Sequence, residues 1–403
     1  MDEDEQQRQQ WRIAHLTTAD ISLALLLATE LAEGLQLGHE VLGISAPGAY
    51  VERIESLGVR HVPIPELTRT WGLSQDLRAF VSLWRTLRDL DLDVLHTHNP
   101  KTGVMGRIAG RLAGVPVVVN TCHGLWATPG DRWTKRAFVY GLEGLAARFS
   151  DYELFQNAQD EHTLRRFLRR GRHRVVGNGV DLELFRFDPA GRERLRAEWG
   201  VADDELLVGT VGRRVREKGM SEYAAAASSL CPRARFVWVG PEDETDGAAV
   251  DNVGEAVAFI PEQRDMAAVY SAFDVFVLAS YREGFSRAAM EAAACERPMV
   301  LTDIRGCREI GTHEEHLLLV PPRDSTALAE AVGCLVEEPE LRARLGGAAS
   351  QRAQAHFDQR SVARVSLETY ASVLARRPSR HAGILNRRRR RRRLGSAQGA
   401  SQA

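Results

Sequence analysis

The chain has 403 residues, enough for two or three domains, and its 44% hydrophobic content is that of an ordinary globular protein. The formal charge of −1 conceals an asymmetry, because seven consecutive arginines, Arg387 to Arg393, offset an otherwise acidic chain. The acidic start, Met1-Asp2-Glu3-Asp4-Glu5, does not read as a secretory signal, no apolar run approaches the roughly 18 residues of a membrane span, and five scattered cysteines without a CxxC pair read as reduced thiols of a cytoplasmic protein.

In chain order, Ile13-Ala14-His15-Leu16 reads as a short strand and Ser22 to Gly34 as a core helix. His39 to Ile44 is a second strand, and a helix near Tyr50 to Leu57 leads to a third at Val59 to Ile64. Asp76 to Leu90 carries an amphipathic helical pattern, Val94 to His98 a strand, Gly103 to Ala113 a helix and Pro116 to Asn120 a strand. After Asn178-Gly179-Val180-Asp181 a second alternation begins, with strands at Leu206 to Val211, Arg235 to Val239, Val257 to Ile260, Val275 to Leu278, Met299 to Leu301 and Leu317 to Val320. Continuous apolar strands separated by helices indicate parallel sheets covered on both faces. The expected fold is α/β, with two Rossmann-like domains and a cleft between them. The expected boundaries are 11–180 and 181–355, then a helix over 356–377 packing back toward the first domain, and a disordered Arg-rich tail over 378–403.

The most informative segment is Ser280-Tyr281-Arg282-Glu283-Gly284-Phe285-Ser286, which follows the apolar strand at Val275 and opens an Ala-rich helix containing Glu291. Loops at the carboxyl ends of parallel strands are where open α/β sheets bind ligands. Two carboxylates there can each accept hydrogen bonds from several hydroxyls, as a sugar or a ribose offers. A second segment, Gly209-Thr210-Val211-Gly212-Arg213-Arg214-Val215-Arg216-Glu217-Lys218-Gly219, ends a strand in glycine and supplies cations suited to phosphate oxygens. It is also compatible with a plain solvated basic loop, and it is neither a Walker loop nor a GxGxxG fingerprint, which argues against a kinase, ATPase or dehydrogenase. Asp303 to Glu309 follows a strand and reads equally as an anion-binding turn or a simple strand-to-helix turn. His123, after the strand ending at Asn120, reads either as a site residue or as a structural histidine.

Together these residues resemble the family-4 retaining glycosyltransferases of the GT-B fold. The matching elements are the E-x7-E pair Glu283 and Glu291, the loop Gly212, Arg213, Glu217, Lys218, Gly219, the pair His123-Gly124, and the strand and turn Leu317 to Pro322. Leu95-His96-Thr97-His98-Asn99-Pro100-Lys101 resembles the subgroup that makes capsule, exopolysaccharide or lipid-linked glycans, and the likeness spans roughly residues 11–375. The resemblance implies a nucleotide-sugar donor, with a UDP-sugar expected, and a glycan or polyprenyl-linked acceptor, with no metal or other cofactor. It implies that Arg213 and Lys218 hold the diphosphate and stabilise the departing nucleotide. By the same likeness Glu283 accepts donor-sugar hydroxyls, helped by amides near Gly284 and Phe285, and Gly212 and Ser286 belong to the expected donor-binding set. Glu291 binds the ribose, and His123 contacts the sugar near the reacting carbon. Closure of the domains around the donor is implied as well. The sequence departs from the family in the loop after the first strand, where Thr17-Thr18-Ala19-Asp20 replaces a glycine pair. Asp20 could orient an acceptor hydroxyl there, and Thr18, His98 and Trp126 complete the expected acceptor side.

Other patterns have blander readings. Asp89-Leu90-Asp91-Leu92-Asp93 contains Asp-x-Asp but reads as a solvated turn. His96-x-His98 places two rings on one strand face, yet zinc needs further ligands and no acidic partner is evident nearby. The basic stretch 164–174 reads as a solvated helix or as a contact for anionic lipid headgroups. The run 387–393 adds to the latter reading, each basic residue near such a surface contributing about 1 kcal/mol. A membrane surface is favoured over nucleic acid, which places the protein peripherally on the inner face of the plasma membrane. Trp126, Trp133, Phe138 and Tyr140 among Arg132, Lys135 and Arg136 could line an acceptor groove or an interface, and core packing explains them almost as well. Two alternatives stand beside the transferase: a nucleotide-sugar 2-epimerase on the same architecture, and a non-catalytic anion- or nucleic-acid-binding scaffold.

Overall fold

Apolar residues at every position of a strand require cover on both faces, and both sheets of this chain meet that requirement. The computed structural model describes residues 10–376, except 69, 71, 99 and 243–255. The Arg387 to Arg393 run and most of the expected tail therefore lie outside the described residues. The chain divides into two compact units, one running to Val176 and resuming at Arg360, the other Gly177–Gln359.

The first unit holds seven parallel strands: β1 (Arg12–Ala19), β2 (Glu40–Ala46), β3 (Arg60–Pro63), β4 (Val94–Thr97), β5 (Val117–Cys122), β6 (Tyr152–Phe155) and β7 (His173–Val175). Their order is β3-β2-β1-β4-β5-β6-β7. Alternate side chains sort to opposite faces, as the period-two geometry of strands demands. Ala14, Leu16, Leu95 and Val118 pack on one side, and Ile13, Val94, Val117 and Val119 on the other. The helix Gln359–Ala375 completes this second layer with Leu367, Tyr370 and Val373.

The second unit holds six parallel strands: β8 (Leu207–Val211), β9 (Arg235–Val239), β10 (Val257–Ile260), β11 (Val275–Leu278), β12 (Met299–Thr302) and β13 (Leu318–Val320), in the order β10-β9-β8-β11-β12-β13. Leu207, Val237, Phe276 and Leu301 enter one core, and Val208, Phe236, Val275 and Val300 the other. This is the doubly covered α/β arrangement that the sequence predicts.

Three local expectations need correction. The helix expected from Ser22 begins as a π turn, Ser22–Leu26, and becomes α-helical only at Ala28–Gln36. That turn lets Leu23, Ala24, Leu27 and Leu31 share one buried face. Strand β6 escapes the apolar pattern because Glu153 interrupts it. Glu153 is buried on Arg107, itself only 1% exposed, at 3.0 Å, and accepts from Asn120 Nδ2 at 2.8 Å. Glu143 pairs with the other guanidinium nitrogen. The basic stretch 164–174 is not one helix: it passes through a 3₁₀ turn, Arg165–Phe167, into the edge strand β7.

Arg107→Ala leaves two buried carboxylates unpaired, a loss of roughly 3–5 kcal/mol. Thermal unfolding followed by circular dichroism is expected to show a midpoint lowered by roughly 10 °C. A shift within about 2 °C would contradict the structural weight given to this network.

Candidate active site

In the second unit the strand order reverses beside β8 and β11, so successive connections leave these neighbours in opposite directions. The loops at their carboxyl ends are the ones free to form a ligand crevice. Gly219 brings the two together. Its φ is +75°, and a Cβ there would lie 2.1 Å from the Ala279 carbonyl oxygen, so only glycine allows the β8 loop to rest on the end of β11. Tyr281 N–H donates to the Glu217 carbonyl at 2.8 Å, and Arg282 pairs with the Glu217 carboxylate at 2.8 Å. Lys218 Nζ then lies 2.6 Å from Glu283 Oε1, with both side chains partly open to solvent.

The turn after β12 supports Glu283 from the other side. A Cβ on Gly306 would fall 2.7 Å from the Glu283 carbonyl oxygen, and Arg305 Nε donates to that oxygen at 3.4 Å. The helical turn here, Arg305–Arg308, has four residues, and Arg308 turns back on Asp303 at 2.5 Å. Of the two expectations for Asp303 to Glu309, the simple strand-to-helix turn describes this geometry. Burial, with the Glu283 charge nearby, pushes the Cys307 thiol well up, so it stays protonated and inert.

Glu291 is presented by the helix Arg287–Ala294. Ser286 caps that helix by accepting from Ala289 N–H at 3.3 Å, and Phe285 anchors its start with an edge-on contact to Phe357 at 5.7 Å between ring centres. The Phe285 and Ser286 side chains thus hold the backbone turn in place. Burial raises the Glu291 carboxyl, while Arg287 at 3.5 Å and the Tyr270 hydroxyl at 2.8 Å favour its ionised form. Arg213 is exposed beyond Gly212, whose carbonyl accepts the Trp238 indole N–H at 2.9 Å. Arg214 instead turns to Glu242 at 3.4 Å and lies over the Phe259 ring at 5.0 Å. The structure therefore brings Gly212, Lys218, Glu283 and Gly284 to the ends of adjacent strands, with Glu291 on the helix that follows.

The first unit contributes a different set. His123 follows β5, half-buried, with Nε2 3.0 Å from His98 Nδ1. Burial lowers its pKa to about 4, so the ring is neutral at ordinary pH. His98 is 1% exposed, too enclosed to touch an acceptor as expected, and acts instead on His123 and on His15, whose Nδ1 lies 3.2 Å from His98 Nε2. Thr18 is buried, its hydroxyl 3.3 Å from that of Thr102. Asp20 is buried too: its two oxygens accept Ile21 N–H at 2.9 Å and Tyr50 N–H at 2.7 Å. It ties two loops together rather than standing open to an acceptor hydroxyl. Trp126 remains 39% exposed, with Lys135 Nζ 5.9 Å from its ring centre.

The absence of an acidic partner near His96 is also corrected. Glu30, from the helix after β1, lies 3.2 Å from His96 Nδ1, and β1 pairs with β4 so that His15 stands opposite His96. His15, missed in the sequence, was legible only through that pairing, and Glu30, also missed, only through the placement of the helix Ala28–Gln36. Asp93, read as part of a solvated turn, is buried and accepts Arg12 N–H at 2.8 Å. Tyr140 is buried, whereas Trp133 and Phe138 are 76% and 59% exposed. Among the described residues no helix is long and apolar enough to cross a membrane.

Comparison with known proteins gives matches over both units. A family model described as glycosyl transferases group 1 matches residues 205–338, and one described as a glycosyl transferase 4-like domain matches residues 24–179. The chain is 30% identical over 297 residues to the UDP-Gal:alpha-D-GlcNAc-diphosphoundecaprenol alpha-1,3-galactosyltransferase of Escherichia coli, covering 70% of this chain and 76% of that protein. It is 27% identical over 346 residues to the N,N'-diacetylbacillosaminyl-diphospho-undecaprenol alpha-1,3-N-acetylgalactosaminyltransferase of Campylobacter jejuni, covering 83% of this chain and 92% of that protein. The solved structure of Anabaena HepE in complex with UDP and glucose shares the fold, with a TM-score of 0.78 and 21% identity, covering 90% of this chain and all of HepE.

Proposed function

The chain belongs to the group 1 glycosyl transferases, and from that premise we propose that it moves a sugar, with retention of configuration, from a UDP-sugar to a hydroxyl of a polyprenyl-diphosphate-linked glycan in cell-surface polysaccharide synthesis. The observation that carries this reading is the Lys218–Glu283 pair at 2.6 Å beside the strand-order reversal of the second sheet. A cation for phosphate and a carboxylate for sugar hydroxyls stand there within one hydrogen bond of each other. The Escherichia coli relative, named for a UDP-Gal donor, and both bacterial relatives, named for diphospho-undecaprenol-linked acceptors, support the substrate classes.

In this reading Arg213 and Lys218 meet the charge that builds on the leaving nucleotide diphosphate, so no divalent ion or other cofactor is needed at the phosphates. Glu283 accepts donor-sugar hydroxyls, with the amides of Gly284 and Phe285 beside it. Glu291, beside Arg287 and the Tyr270 hydroxyl, accepts the ribose hydroxyls. His123, neutral and fixed by His98, offers a hydrogen bond to the sugar near the reacting carbon. The acceptor contacts come from the first unit, with Trp126 the exposed candidate.

A polyprenyl-linked acceptor requires the enzyme at a membrane surface. The helix Trp133–Ala146 exposes Phe138, Gly141 and Leu145 along one face, with Trp133 at its start. Arg132 lies just before that helix, and exposed arginines at 165, 166, 169 and 170 add positive charge to the same unit. An apolar stripe in a basic setting suits peripheral attachment to an anionic bilayer, on the inner face of the plasma membrane.

Transfer from radiolabelled UDP-sugars to a polyprenyl-diphosphate-sugar acceptor is expected to fall by roughly 10²- to 10³-fold in kcat for Lys218→Ala and for Arg213→Ala. Near-wild-type turnover in both would remove the phosphate assignment. Glu291→Ala is expected to weaken UDP binding by roughly ten- to a hundredfold in calorimetry. Unchanged affinity would remove the ribose role. In flotation with anionic phospholipid vesicles, the double variant Trp133→Ser, Phe138→Ser is expected to bind several times less than wild type, while retaining transfer to a short water-soluble acceptor. Equal flotation would contradict the membrane face.

A further inference from the structure

Four side chains of the first unit converge on one point. His15 comes from β1, His96 from β4, His98 from the residue after it, and Glu30 from the helix Ala28–Gln36. Each offers one donor atom, and the four atoms lie within 4.8 Å of one another. The histidines are at most 2% exposed, and the Glu30 side chain is 13% exposed.

We propose that this cluster is a divalent transition-metal site, with zinc the ion it suits best, bound by His15 Nδ1, His96 Nδ1, His98 Nε2 and a Glu30 carboxylate oxygen. Three imidazoles and one carboxylate form a donor set that zinc accepts. With metal–ligand distances of about 2.0–2.1 Å, tetrahedral ligand atoms lie about 3.3 Å apart. Two edges of such a tetrahedron already have this length: His15 Nδ1 to His98 Nε2 is 3.2 Å, and His96 Nδ1 to Glu30 Oε1 is 3.2 Å.

The surroundings match what metal ligands need. The ring nitrogens of His96 and His98 turned away from the ion are both engaged, His96 Nε2 with the Thr121 hydroxyl at 2.7 Å and His98 Nδ1 with His123 Nε2 at 3.0 Å. The Tyr370 hydroxyl lies 2.5 Å from His96 Nδ1 and 3.3 Å from Glu30 Oε1. With an ion on the nitrogen, that hydroxyl donates to the carboxylate. Such outer partners fix the tautomer and orientation of ligating groups. The Glu30 carboxylate, 3.2 Å from His96 Nδ1, supplies negative charge to set against that of the ion.

Four protein ligands leave no open position, so the ion is structural. It clamps β1, β4 and the helix Ala28–Gln36, and through Tyr370 the helix Gln359–Ala375. It also obliges His98 to present Nδ1–H to His123 Nε2, which sets the tautomer of the site histidine. This proposal does not depend on the transferase reading.

The test is the metal content of full-length protein purified without chelator, measured by plasma mass spectrometry, then cobalt absorption and thermal melting after chelator treatment. The expected result is about one zinc per chain, a tetrahedral cobalt spectrum on replacement, and a melting temperature restored by stoichiometric zinc. His15→Gln and Glu30→Gln are expected to lose the ion. Thr121→Val, which keeps all four ligands, is expected to weaken metal affinity by roughly 10- to 100-fold. Wild-type protein that carries no zinc and gives neither a cobalt spectrum nor a zinc-induced melting shift would overturn the proposal, whether or not the variants fold. So would folded variants that keep the full metal content.

Discussion

The reversal of strand order beside β8 and β11 is the constraint on which the candidate site of the second unit depends. Parallel strands deliver their loops to one end of the sheet, and only at a reversal do the flanking connections diverge enough to leave a crevice. The candidate site of the second unit is arranged around that point. The cationic loop leaves β8, the Glu283 turn leaves β11, and the Gly306 turn after β12 backs the Glu283 carbonyl. Two close approaches, Gly219 on Ala279 and Gly306 on Glu283, replace side-chain bulk with backbone contact. They set the lysine and the carboxylate at hydrogen-bond distance.

The same economy of buried charge recurs through the fold. Asp274 is held by Arg192 at 2.6 Å and Arg196 at 3.0 Å, and it also accepts Leu207 N–H at 2.8 Å, locking the start of β8 beside β11. In the first unit Arg107, Glu143 and Glu153 play the corresponding part between helix and strand. Charges in such positions stabilise little by themselves but are costly to break, so they specify one register rather than add net stability.

The strands were largely legible in the sequence, because doubly covered parallel strands carry unbroken apolar runs; those of the second unit agree to within a residue or so at each end. Of the strands that were not legible, β6 carries Glu153, whose charge is answered by Arg107 far along the chain, and β7 is a three-residue edge strand carrying His173 and Arg174. The position of the β8 and β11 loops was legible because each is a contiguous motif at a strand end. The histidine side was not. His15 and His96 are brought together by the β1–β4 pairing, and Glu30 by a helix entered through a π turn. Asp20 and Asp93 looked like solvated or acceptor-binding acids because the amides they accept, from Tyr50 and Arg12, lie far along the chain. Short-range pattern shows which loops end strands; it does not show which buried acid answers which amide.

The measurement that tests the central claim most directly is hydrogen–deuterium exchange of the full chain with and without saturating UDP. Protection concentrated in residues 212–219 and 283–291 is the expected result, since the nucleotide would order the loops of β8 and β11 and the helix that carries Glu291. UDP binding with protection elsewhere, or exchange in these two segments unchanged at saturation, would contradict the placement of the donor at the strand-order reversal of the second sheet.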